Sequence, residues 1–423
     1  MMPALKKKYP RSTCFAKNLI VLLTLFLFTT FTTDKNIGYI PVTLSERVTE
    51  AMPVDFLGQS LEGLIRHYDD YIESSVAENA SPGAAVAIAY NGEIRLLKGY
   101  GVKKEGSADP VDIHTAFRIG SVSKGFAGVL TGIMARENIV SWDDKVAAYL
   151  PDFHHYDAAT FNKLTLKNIL SQSSGFPTHT FTDLLDDNIP YCQILEQLKS
   201  VPFCAKPGQV YSYQNVVFSL VDEVLKNTTG KDYAHLLRDK ILYPLQMKDA
   251  SSEYVSLIMS GNYASPHLRT RDSWLPIENN PRYYATIPAS GINASIADMA
   301  QWLLALTGSK PEVIAPDVLE EVFEPVVDIP LKRSIKKAWG NADEFSYALG
   351  WRVIRIGDKT IVFHLGHVQG FLAEIGFCPE DKVGIVMLFN SNTHFNNDLL
   401  PSFFENLYQY HLWEPFSLDP ERI

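Results

Sequence analysis

Phe117-Arg118-Ile119-Gly120-Ser121-Val122-Ser123-Lys124-Gly125-Phe126-Ala127 decides how this chain is read, because it sets a serine three residues before a lysine where an extended segment turns into a helix. Residues three apart on a helix share a face, so the Lys124 amine can lie beside the Ser121 hydroxyl. That hydroxyl is a weak nucleophile until a neighbouring base takes its proton, and the positive end of a helix dipole favours anionic charge developing nearby. The tetrapeptide alone reads more simply as a serine cap ahead of a solvent-facing lysine, so the rest of the chain has to decide.

Around it lie 423 residues, 46% hydrophobic and 20% charged, a globular composition with enough length for a large core. The formal net charge is −10, and no basic stripe follows the amino terminus, which excludes a nucleic-acid partner. Four cysteines are too few for a disulfide scaffold and form no Cys-x-x-Cys or Cys/His zinc pattern, so neither a metal nor another cofactor is expected. Cys192 and Cys204 are close enough in sequence to bridge in an oxidising compartment, but spacing leaves that open. His154-His155 with Asp157 reads as a solvated loop rather than a metal site.

Residues 1–33 carry Lys6, Lys7, Lys8, Arg11 and Lys17 ahead of an apolar run from Leu19 to Phe28. This is a secretory leader, either cleaved as a signal peptide or kept as a membrane anchor, and it places the body outside the cytoplasm, periplasmic or extracellular. Residues 34–55 read as a linker, and residues 413–423 as a tail. Phe56 to Glu78 has the periodicity of an amphipathic helix, and Ala84–Tyr90, Asn91-Gly92 and Glu93–Lys98 read as a hairpin. Helical patterns then dominate, among them Gly125–Glu137, Leu166–Ser171, Cys192–Leu198, Val216–Thr228, Tyr233–Ile241 and Ile296–Leu306.

From Ala348 strands return as 348–355, 360–364, 371–378 and 383–389, followed by a closing helix over 398–410. Strands at both ends with helices between them predict an α+β fold, one antiparallel sheet assembled from the two ends and flanked by helices. The sheet-bearing part covers about 56–130 and 307–412, with a helical part inserted over about 131–306.

Two further segments can supply a site. Pro207 to Asn215 is a turn leading into Tyr213-Gln214-Asn215, where a phenol and an amide can face one cleft, although Tyr213 also fits a core and Asn215 a helix cap. Cationic neighbours that lower the Tyr213 pKa would let it exchange protons. His364-Leu365-Gly366-His367 closes a predicted strand, where a glycine lets a ligand approach the backbone and a strand-end histidine can polarise one rim. The aromatic-rich stretch from Asn262 to Ile287, with Tyr283 and Tyr284, either overhangs the cleft or packs as a surface loop.

Taken in order, Ser121-Val122-Ser123-Lys124, Tyr213-Gln214-Asn215 and His364-Leu365-Gly366 resemble the Ser-x-x-Lys, Tyr-x-Asn and His-x-Gly motifs of the serine beta-lactamase and penicillin-binding superfamily. The likeness is greatest to class C beta-lactamases and their D-Ala-D-Ala carboxypeptidase and esterase relatives, and runs from about Phe56 to Tyr410. It implies a serine hydrolase acting on a small-molecule or peptide substrate. Ser121 would form the acyl-enzyme, Lys124 and Tyr213 would be its proton-transfer pair, and Asn215, His364 and Gly366 would bind substrate. The backbone N–H groups of Ser121 and His367 would form the oxyanion hole, worth roughly 3 kcal/mol per donor in related chemistry. Histidine at position 364, where class C enzymes carry lysine, points away from efficient penicillin hydrolysis, and His367 adds bulk beside the oxyanion hole. The competing reading is a catalytically idle relative that senses or holds cell-wall peptides.

Overall fold

Asn91 and Gly92 both adopt left-handed backbone, φ 49° and 80°, as a two-residue hairpin turn demands, and fold Gly83–Tyr90 (β1) back on Glu93–Gly101 (β2). The computed structural model describes residues 60–340, 342–393 and 398–409. The leader (1–33), the linker (34–55) and the tail (413–423) lie outside the described residues, among which no helix is long and apolar enough to cross a membrane.

Ten more strands follow: Phe117–Arg118 (β3), His267–Arg269 (β4), Trp274–Pro276 (β5), Asn293–Ala294 (β6), Val327–Asp328 (β7), Glu344–Tyr347 (β8), Arg352–Ile356 (β9), Lys359–Val368 (β10), Phe371–Cys378 (β11) and Val383–Phe389 (β12). Eight form one sheet in the order β2-β1-β12-β11-β10-β9-β8-β7, antiparallel at every step. Two small ribbons, β3 with β6 and β4 with β5, lie outside it. The architecture is α+β. The β1–β12 pair joins the two ends of the domain, Ala84 opposite Phe389 and Tyr90 opposite Val383. Both strands are buried almost throughout, which is why Gly83–Tyr90 and Val383–Phe389 lack polar alternation: helices cover both faces.

Helix α1 (Leu61–Ala77) turns Leu64, Ile65, Tyr68 and Ile72 inward. Its Tyr68 hydroxyl donates to Leu399 O at 3.0 Å, and its ring meets Phe403 edge-on at 5.4 Å, so α1 packs with the closing helix Leu399–Gln409. Helix α2 (Ser123–Arg136) is buried from Ser123 to Met134. Trp302 of the helix Ile296–Leu306 stacks on its Phe126 at 4.0 Å. A Cβ on Gly128 would come within 1.9 Å of Leu349 O, so only glycine lets α2 press against the turn before β9.

Two expected elements differ. Of the strand expected over 348–355, residues 348–351 instead form the turn between β8 and β9, where Gly350 has φ 85°, and the strand begins only at Arg352. β10, expected to end at His364, runs on to Val368, so His364 lies inside a strand rather than at its end. Cys192 and Cys204 are exposed free thiols. His155 is buried, with Nε2 on Val201 O at 2.9 Å and Nδ1 accepting from the Asp157 N–H at 3.1 Å, so both ring nitrogens are occupied.

Ser295 and Asp298 form a capping box at the start of Ile296–Leu306, and burial with nearby Asp249 raises the Asp298 pKa to about 6. A folded-state pKa above the unfolded one means the folded state holds the extra proton between about pH 4 and 6, so stability falls as pH rises through that window. Asp298→Asn keeps an acceptor for the cap and removes the charge. It should flatten this decline, on the order of 2 kcal/mol, in urea midpoints measured from pH 4 to 7.

Candidate active site

Gly120, with φ 50°, begins a 3-10 turn over Gly120–Val122 that runs directly into α2. The turn leaves Ser121 partly accessible and places Lys124 in the core without exposed surface. Lys124 Nζ sits 3.2 Å from Ser121 Oγ, 2.7 Å from Asn215 Oδ1 and 2.9 Å from Ala289 O. Ser123 supports this arrangement, its hydroxyl accepting from Ile292 N–H at 3.1 Å and fixing the segment that carries Ala289.

The chemistry of Lys124 follows from those contacts. Burial drives its pKa well below the usual lysine range, and the Arg352 cation pushes the same way. A neutral amine has two N–H bonds and one lone pair. The Asn215 and Ala289 oxygens can only accept, so they take the two N–H bonds and leave the lone pair facing the Ser121 hydroxyl.

Tyr213 sits with its ring 4.6 Å from Lys124 Nζ and its phenol hydrogen-bonded to Ser121. The expected lowering of its pKa does not occur. Burial outweighs the nearby Arg352 and pushes the phenol up to about 12, while burial moves Lys124 the opposite way, below its usual range. Asn215 is buried and bonded to Lys124, not spent as a helix cap; the helix that follows begins only at Leu220.

His364 also departs from expectation. It has no exposed surface, and burial, followed by the Arg352 charge, holds its pKa well below the usual histidine range. Its Nδ1 donates to Leu365 O at 2.9 Å, which leaves Nε2 to accept from the Tyr347 hydroxyl at 3.1 Å. It is therefore a neutral, doubly bonded wall beneath Tyr213, their ring centroids 6.5 Å apart, and not a partly charged rim.

Gly366 lies against the nucleophile turn so tightly that a Cβ there would be 1.9 Å from Ile119 O and 3.1 Å from Ser121 N. A Cβ on Gly120 would in turn be 2.9 Å from His367 N. The Ser121 and His367 amides are thus drawn to the same spot, and the Ser121 N–H has no backbone acceptor among the described residues. The His367 side chain is exposed, on the opposite pleat from Gly366.

Sequence reasoning missed Arg352. It stands on β9 opposite Phe363, next to His364 on β10, with its guanidinium 5.5 Å from the Tyr213 ring and hydrogen-bonded to Tyr211. Its Nη1 is buried and finds no partner among the described residues. The one available signal was an arginine inside the otherwise apolar run Leu349 to Ile354. Among the described residues no cluster of His, Cys, Asp and Glu is arranged to hold a metal.

A family model described as Beta-lactamase matches residues 68–401. Protein flp of Staphylococcus aureus strain MW2 is 26% identical over 337 residues, covering 77% of this chain and 63% of that protein. Unguisins hydrolase ungD' of Aspergillus campestris is 26% identical over 344 residues, covering 75% of this chain and 59% of that protein. The chain therefore spans about three fifths of the length of these curated relatives (63% and 59%). Among solved structures, the octameric penicillin-binding protein homologue from Pyrococcus abyssi has the same fold, with a TM-score of 0.70 at 20% identity over 82% of this chain and 77% of that one.

The packing of Gly366 on Ile119 sets a test of the site's construction. Gly366→Ala should lower stability by about 1–3 kcal/mol in urea unfolding, whereas Leu365→Ala, at a neighbouring exposed position, should stay within about 0.5 kcal/mol.

Proposed function

This chain belongs to the beta-lactamase family, and from that premise we propose that it is a serine hydrolase that cleaves an amide or ester through an acyl-enzyme on Ser121. The observation that carries this reading is the 3.2 Å approach of the buried Lys124 amine to the Ser121 hydroxyl, with burial and then Arg352 holding the lysine pKa well below its usual range. Lys124 takes the Ser121 proton as Oγ bonds to the substrate carbonyl carbon. The resulting oxyanion lies between the N–H groups of Ser121 and His367. Tyr213, still protonated, passes its proton to the leaving group as the carbonyl re-forms, and Lys124 re-protonates the phenolate. Water then attacks the acyl-enzyme with Lys124 again as base.

A fluorophosphonate should add one covalent group to the protein, seen by intact mass and absent in Ser121→Ala. Lys124→Arg, which cannot supply a base, should slow hydrolysis by roughly 10²–10⁴-fold. A protein that folds but is never labelled at Ser121 overturns the reading.

With His364 and Lys124 both neutral, Arg352 is the cation that remains in the pocket, and its unpartnered Nη1 is matched to a carboxylate. The substrate class is accordingly a carboxylate-bearing acyl compound, such as a D-Ala-D-Ala peptide or a beta-lactam, ahead of a plain small ester. Arg352→Gln has two expected effects. Preference for a carboxylate substrate over its methyl ester should collapse through KM. Loss of the neighbouring positive charge should also raise the Lys124 pKa, moving the acidic limb of the kcat/KM profile to higher pH. An unmoved limb with unchanged preference assigns Arg352 no part in either.

A further inference from the structure

The Tyr213 side and the β10 side of the pocket are joined a second time, away from Lys124. From Tyr213 the bridge starts at Thr178 and His179, whose hydroxyl and backbone N–H donate to Tyr213 O at 3.2 and 2.8 Å. It continues through Phe181 into the short helix Thr182–Asp186. From the other side Arg118, three residues before Ser121, donates to the carbonyls of Asn280 at 3.1 Å and Arg282 at 2.5 Å. Arg118 also donates to Gln369 Oε1, at the end of β10, at 3.2 Å. The loop so held presents Tyr283, whose hydroxyl donates to Asp186 Oδ1 at 2.5 Å. Contacts therefore close a ring around Ser121, running from Arg118 through Tyr283, Asp186 and His179 to Tyr213.

Two features mark the closure as built. Phe181 and Tyr283 stand on either side of it, and both have left-handed backbone, φ 58° and 71°, which aromatic residues adopt only when the surroundings impose it. Asp186 also lies within electrostatic reach of the exposed His367 imidazole, whose backbone amide faces the Ser121 turn.

We propose that the Tyr283–Asp186 hydrogen bond is a bar across the mouth of the pocket, and that it makes Tyr283 a specificity-determining residue by limiting the size of the acyl group that reaches Ser121. The proposal rests on the acyl-enzyme reading above. A pocket closed on one side by a bonded phenol admits a short or flat acyl group and turns away a long or branched one.

The test compares the rate of covalent labelling of Ser121 by a short-chain and a long-chain alkyl fluorophosphonate, in the full-length protein and in Tyr283→Ala, Tyr283→Phe and Asp186→Ala. Removing the bar should raise the long-to-short rate ratio about tenfold in Tyr283→Ala and Asp186→Ala, with a smaller rise in Tyr283→Phe, which keeps the ring. The short-chain rate serves as the control for folding. Asp186 is exposed, so its variant keeps the test decisive where Tyr283→Ala fails to fold. Labelling with an unchanged or falling ratio in Asp186→Ala overturns the bar alone. No labelling of any protein, the unaltered one included, overturns the acyl-enzyme reading and the bar with it.

Discussion

A primary amine kept dry beside a guanidinium cannot hold its proton, and the rest of the pocket depends on that constraint. A buried ammonium without a counter-ion is costly, so burial and then the Arg352 charge push the Lys124 pKa well below its usual range, toward the neutral amine. Neutrality in turn dictates the orientation of every partner. Asn215 and Ala289 must accept, Ser121 must donate, and the phenol of Tyr213 is left as an acid rather than a second base. His364 obeys the same rule one layer down, where burial first and the Arg352 charge second hold its pKa well below the usual histidine range.

Backbone-to-backbone approach is the second constraint. Gly120 and Gly366 bring the Ser121 turn against the stretch of β10 that runs on past the end of β9 and pairs there with β11 alone, and Gly128 seats the helix beneath it. A Cβ at Gly366 or Gly128 would sit only 1.9 Å from a facing carbonyl oxygen and hold those elements apart. The glycines therefore fix distances at the reactive serine that no side-chain rotamer could restore.

What the sequence made legible follows from the range of each interaction. Ser121 with Lys124, and Tyr213 with Asn215, are read from spacings of two or three residues, and both pairs meet in one pocket as the motifs imply. The helix Ile296–Leu306 and the hairpin at Asn91-Gly92 were legible for the same reason, a local pattern with a local cause. Arg352 was not, because its meaning comes from lying opposite Phe363 in the β9–β10 ladder and from tyrosines on a distant segment. Which of Lys124 and Tyr213 more readily gives up its proton, and how far His364 is kept from charging, could not be read because burial cannot be seen in a motif. The contact of Asp186 with Tyr283 joins segments whose sequences carry no shared pattern.

The pairing of β1 with β12 also governs the order in which the molecule can be assembled. The first strand of the sheet has only β2 beside it until the last strand arrives, and the whole helical region must be accommodated between them. Such long-range pairing makes folding slow, because loop closure is opposed by entropy before any contact repays it. During synthesis the serine turn emerges far ahead of β10, whose backbone it needs as its other wall. A nascent or truncated chain therefore carries Ser121 and Lys124 without the β10 wall that faces them, and the pocket is complete only once β10 has been made.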